Sequence, residues 1–107
     1  MASIELVVGV SGASGANLAR RFVERVLAAG ISRLHMVFSE ASLEVARNEI
    51  DPKIESPESW VARLEAPRAE KRRITIHSNE NVGASIASGS SRVSGMIVIP
   101  CSAGTLG

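Results

Sequence analysis

Near the start of the chain, Ile4-Glu5-Leu6-Val7-Val8-Gly9-Val10 runs into the turn Ser11-Gly12-Ala13-Ser14-Gly15, and from there into a helix-length amphipathic stretch. Only Glu5 interrupts the apolar run. Such a segment suits a strand buried on both faces, as in a parallel sheet. In residues 16–29, Leu18, Phe22 and Val26 recur at helical spacing with Ala19, Val23 and Leu27 beside them. Arg20, Arg21, Glu24 and Arg25 take the remaining face, and Gly30 follows as a C-cap.

The alternation continues. Residues 33–38 read as a second strand, with Leu34, Met36 and Phe38 alternating, and residues 40–50 as a second helix that Asp51-Pro52 ends. Ser56-Pro57 opens a short helix carrying Trp60, Val61 and Leu64. A third strand is expected over 73–77, a short helix and loop over 83–91, and a fourth strand over 95–99. Strands separated by helix-length connections predict a Rossmann-like α/β fold: a parallel sheet with flanking helices and right-handed crossovers. Strands one, two and four are expected at its centre. The turn after strand four has no helix following it, so residues 1–107 read as the N-terminal part of a single larger domain, apparently truncated.

Composition narrows the function. Twelve Lys and Arg oppose eleven Asp and Glu, for a net charge of +1, without the basic excess of a nucleic-acid-binding domain. Phe22, Phe38 and Trp60 are the only aromatics, too few for a base-stacking surface. No apolar run approaches the ~20 residues of a membrane span. Cys101 is the single cysteine, so no intrachain disulfide can form. The N-terminus has no signal-peptide pattern, and a cytoplasmic location is expected.

In an open α/β sheet ligands bind at the carboxyl ends of the strands. The first turn brings two glycines and two hydroxyls there, at a helix N-terminus that favours a phosphate. It lacks the lysine of a P-loop, and its G-x-x-G-x-x-G spacing is not the dinucleotide fingerprint. A tight turn that only packs helix on strand is the alternative. Ser39 ends strand two and Ser102-Ala103-Gly104-Thr105 follows strand four, so hydroxyls are expected to converge on one sheet edge. For Ser39 alone an ordinary helix N-cap is the simpler reading. Glu40 falls one place late for the ribose-binding acid of an NAD site. His35 and His77 lack metal-ligand spacing, and Cys101 reads as a packed thiol, so no metal site is expected. Arg63, Arg68, Lys71, Arg72 and Arg73, interrupted by Glu65 and Glu70, read as a solvated connection.

Three segments carry a resemblance: residues 8–16 around Ser11-Gly12-Ala13-Ser14-Gly15, residues 82–90 ending in Ala87-Ser88-Gly89-Ser90, and residues 95–106 with Pro100-Cys101-Ser102-Ala103-Gly104-Thr105. In this order and spacing they resemble the UbiX-like flavin prenyltransferases. The resemblance implies an FMN-binding domain that joins a dimethylallyl group from dimethylallyl phosphate to reduced FMN. The prenylated FMN so made serves a UbiD-like decarboxylase. It implies that Gly12, Ala13 and Ser14 bind FMN, with Ser14 near the flavin N5 and catalytic. Ser39 falls at the FMN phosphate end, and Ser102, Ala103, Gly104 and Thr105 form a second FMN loop. Ser88, Gly89 and Ser90 line the prenyl pocket. A homo-oligomer and no metal are further implications. The alternatives are an FMN-dependent decarboxylase of the related flavoprotein class, and a non-catalytic FMN-binding fragment. Residues matching the family's phosphate-holding cations do not occur in this chain, so alone it is expected to be inactive.

Overall fold

A computed structural model describes residues 4–78 and 93–100. Strand β1 (Glu5–Val10) leads into helix α1 (Ala16–Ala28), then β2 (Arg33–Phe38) and α2 (Glu40–Glu49). Two short helices follow, α3 (Pro57–Ala62) and α4 (Arg68–Lys71), then β3 (Ile74–His77) and β4 (Val93–Ile99). The sheet is wholly parallel, in the order β3-β2-β1-β4. The expected α/β class therefore holds, and β1 and β2 are central. β4 pairs with β1 alone and forms an edge among the described strands. Met96 and Val98 on it are 65% and 45% exposed. An unbroken apolar run signals contact with apolar surroundings but not a position in the strand order, so the sequence expectation for β4 is neither met nor overturned by the described strands.

Strand alternation sorts the side chains onto two faces. Leu6, Val8, Val10, Leu34, Met36, Phe38, Ile74 and Ile76 face the helices, and the core forms between them. From α1 it receives Ala19, Val23 and Leu27, from α2 Leu43 and Ala46, and from the α3 region Ile54, Trp60 and Leu64. The buried stripe of α1 thus centres on Ala19, Val23 and Leu27, whereas Leu18 is exposed beside Phe22 and Ile99. Full burial of a side chain such as Leu27, Leu34 or Met36 stabilises by about 1.5–3 kcal/mol.

Local signals fix the ends of these elements. Ser56 and Ser59 form a reciprocal capping box on α3, with Pro57 in its first turn. Trp60 then packs edge-on against Phe38, with ring centroids 5.1 Å apart, which ties α3 to β2. Arg63 Nε lies 3.0 Å from Asp51 Oδ2, and Arg47 donates to Ile54 O, so the chain leaving α2 is held at two points. The basic segment read as a solvated connection contains the single turn of α4, which has no buried residue.

Candidate functional site

Register brings three strand ends level. Val10 pairs with Phe38 on one side and with Ile99 on the other. Ser39 N–H donates to Val10 O, Ser11 N–H donates to Ile99 O, and Ser11 Oγ donates to Pro100 O. The turn after β1 therefore sits between the ends of β2 and β4, as the sequence predicted. Two glycines make this fit possible. A Cβ on Gly12 would lie 2.5 Å from Ala41 Cβ, so α2 approaches the turn as closely as only glycine allows. Gly15 has φ +111°, a left-handed conformation, and lies against Pro100.

Gly15 has no side chain with which to cap α1, and α1 has no acidic residue in its first turn. Glu49, in the last turn of α2, supplies what is missing. Its Oε1 accepts from the N–H groups of Gly15 (3.0 Å) and Ala16 (2.8 Å), and its Oε2 accepts from Ser14 Oγ–H (2.8 Å). Asn17 Nδ2–H donates to the Glu49 carbonyl. The two backbone donors at Ala16 and Gly15, then the Ser14 hydroxyl, lower the pKa of this carboxylate below its ordinary value.

This arrangement corrects one expectation. The N–H groups expected to hold a phosphate at the start of α1 are occupied by a carboxylate, and a second anion there would be repelled. What the turn still offers is neutral. The N–H groups of Gly12 and Ser14 make no hydrogen bond to any described residue, and both residues are exposed. Ser14 Oγ, with its own hydrogen committed to Glu49, presents lone pairs. A mixed set of neutral donors and an acceptor fits the edge of a heteroaromatic ring system such as a flavin better than it fits a phosphate.

Ser39 is the N-cap of α2. Its Oγ accepts from Ser42 N–H at 3.0 Å, which is the simpler reading. Ser39 also stands at the carboxyl edge, where its Oγ–H donates to Val10 O at 3.4 Å, so a phosphate there would take that hydrogen in place of the Val10 carbonyl. Ser88, Gly89, Ser90, Ser102, Ala103, Gly104 and Thr105 lie outside the described residues, as does Cys101. Among the described residues no group of three or more His, Cys, Asp or Glu could hold a metal ion. No described helix is long and apolar enough to cross a membrane.

Sequence reading missed Glu49. A signal was present: an acid in the last turn of a helix opposes the helix dipole, so Glu49 needs compensation from elsewhere. The N-terminus of α1 provides it.

Comparison with known proteins places this geometry. The flavoprotein family model matches residues 1–107. The flavin prenyltransferase UbiX of Halalkalibacterium halodurans is 37% identical over 99 residues, covering 92% of this chain and 47% of the relative. That of Synechocystis is 38% identical over 104 residues, covering 94% and 50%. Among solved structures, AnUbiX (PadA1) in complex with FMN and dimethylallyl pyrophosphate superposes with a TM-score of 0.68 at 26% identity, over 94% of this chain and 46% of that one. A dodecameric FMN-dependent UbiX-like decarboxylase from Escherichia coli O157:H7 gives 0.64 at 29% identity, over 91% and 46%. The chain spans about half the length of the curated relatives it matches. With its parallel sheet, glycine-rich first turn and a family match over residues 1–107, the chain belongs to the flavoprotein family.

Proposed function

We propose that this chain forms the FMN-binding half of a flavin prenyltransferase, with Ser14 as the catalytic hydroxyl and Glu49 as the group that holds it. The observation that carries this reading is the Ser14–Glu49 hydrogen bond at the mouth of the turn. FMN, bound over Gly12, Ala13 and Ser14, supplies when reduced the nucleophilic nitrogen and carbon to which a dimethylallyl group is joined. Ser14 Oγ accepts from an N–H donor at that position. Because its own hydrogen points to Glu49, it can pass a proton on to the carboxylate as it takes one up. The α1 N-terminus keeps Glu49 ionised, which fits it to hold and orient the Ser14 hydroxyl rather than to retain a proton. Ser39 is assigned to the phosphate end of FMN, away from the Glu49 charge. Ser102, Ala103, Gly104 and Thr105 are assigned to the second FMN loop, and Ser88, Gly89 and Ser90 to the prenyl pocket, on the resemblance alone.

The donor is a dimethylallyl phosphate ester. Its leaving phosphate needs preorganised cations, and the described turn offers none, so prenyl transfer is expected to need residues from a complementary half. A homo-oligomer is in keeping with the dodecameric neighbour. Prenylated FMN would pass to a UbiD-like decarboxylase in the cytoplasm. The second reading, an FMN-dependent decarboxylase, is favoured by the likeness to the UbiX-like decarboxylase from Escherichia coli O157:H7.

The test is anaerobic incubation with reduced FMN and dimethylallyl mono- or diphosphate, with and without the complementary half of the Synechocystis relative. Prenylated FMN, read by mass, is expected only with the complement. Turnover by the chain alone would refute the requirement for a second half. Release of carbon dioxide from a carboxylate substrate without prenylated FMN would favour the decarboxylase.

A further inference from the structure

The face of the sheet turned away from the helices carries a chain of three titratable side chains that the proposed chemistry does not use. His35 Nε2 is 2.7 Å from Glu5 Oε1, and His35 Nδ1 is 2.7 Å from His77 Nε2. The two rings are 4.9 Å apart and tilted by 35°. His35 is buried, and Glu5 and His77 are half-buried. Three parallel strands, β1, β2 and β3, are thereby joined side chain to side chain.

The donors and acceptors fix the protons. A carboxylate only accepts, so His35 Nε2–H donates to Glu5. His35 Nδ1 is then a bare acceptor, and His77 Nε2–H donates to it. His77 Nδ1 remains to take a proton. One added proton leaves both hydrogen bonds intact: it sits on His77 Nδ1, or on His35 Nδ1 with the bond between the rings reversed. A second leaves no acceptor between the rings, and it sets two N–H groups and two positive rings against each other at 2.7 Å.

We propose that Glu5, His35 and His77 form a proton-counting clamp that fastens β3 to the sheet and releases it when both histidines are charged. β3 is where such a clamp matters. Among the described strands it is an edge strand of four residues, every one of them only half-buried. Ile74 and Ile76 hold it on the helix face. On the opposite face its polar ties to β2 are the histidine pair and the Arg33 Nη1–H to Thr75 Oγ1 bond at 2.7 Å. Arg33 is the other charged group on this face of the described strands, and it adds to the repulsion once the histidines charge. From β4 this face receives Met96 and Val98, which do not titrate. Burial, then the positive charge of His35, pushes the His77 pKa below its ordinary value, as expected of a pair that resists the second proton.

The experiment is amide hydrogen exchange of the full chain across pH 8 to 5, expressed as protection factors. Long-range ¹H–¹⁵N spectra of both rings accompany it. The expected result is a two-step titration of the pair, with Nε2 protonated on both rings at high pH. β3 protection should fall roughly five- to tenfold at the second step, the size expected for losing one hydrogen bond. His77→Gln keeps an N–H donor to His35 but cannot titrate, and it should abolish the fall. Constant β3 protection in the unsubstituted chain, independent single-step titration of the rings, or persistence of the fall in H77Q would each overturn the proposal. Should H77Q fail to fold, the ring spectra of the unsubstituted chain decide by themselves.

Discussion

Gly12 and Ala41 stand so close that a methyl group on Gly12 would lie 2.5 Å from the Ala41 methyl. This contact presses the N-terminal turn of α2 onto the turn after β1, and it brings Ser39 to the site. Gly12→Ala should destabilise the chain by about 1–3 kcal/mol, the usual cost of overpacking. Adding Ala41→Gly should restore most of the loss. Urea unfolding of the single and double variants measures both.

Glu49 makes a prediction about pH. Its pKa is lowered in the folded chain, so the unfolded chain binds the proton more tightly. The stability it contributes is present above its ordinary carboxylate pKa of about 4.5 and is lost as pH falls through the lowered folded value. Glu49→Gln should therefore be less stable than the unsubstituted chain at pH 7, with the difference shrinking toward pH 3. Urea midpoints of both proteins across that range test it; a difference independent of pH would show that the charge contributes nothing. His77, whose pKa is also lowered, acts in a separate window. Its contribution is present above about 6.5 and declines on acidification below that.

Much of this architecture was legible in the sequence. Residues 4–10 and 95–99 announced strands by apolar runs rich in β-branched residues, residues 33–38 by the alternation of Leu34, Met36 and Phe38, and Ser56-Pro57 announced α3 by its capping chemistry. The pairing of β4 with β1 was not legible, because strand order is decided by pairing between distant segments. The single turn of α4 was hidden because it buries nothing. At the site, Gly12, Ser14 and Ser39 were visible as residue types that a turn or cap requires. Glu49 and the His35–His77 pair were not, since each acquires its meaning from a partner more than thirty residues away.

Ser39 serves as a cap and is proposed to meet the FMN phosphate, and two substitutions separate these roles. Ser39→Ala should cost about 1 kcal/mol of stability through loss of the cap. Ser39→Asp keeps a good cap but places a negative charge beside the phosphate. It should weaken FMN binding while leaving riboflavin binding unchanged, as read by flavin fluorescence. Equal effects on the two flavins would remove Ser39 from the phosphate end.

Ser14→Ala, assayed with the complementary half present, should leave FMN affinity within about twofold and lower prenyl transfer by roughly 10²–10⁴, the range for a positioned proton-transfer group. Glu49→Gln should lower transfer in the same direction. Full activity of Ser14→Ala would reduce the residue to a structural part of the turn.

The central claim is that FMN binds over the turn at the carboxyl end of β1. Its most direct test is a titration of the ¹⁵N-labelled chain with FMN, followed by amide chemical shifts, with NADH as the competing ligand. The predicted result is saturable shifts concentrated at Gly12, Ala13, Ser14 and Ser39, with NADH producing none of comparable size. Tight NADH binding at those amides without FMN binding, or FMN shifts that avoid the turn, would contradict it.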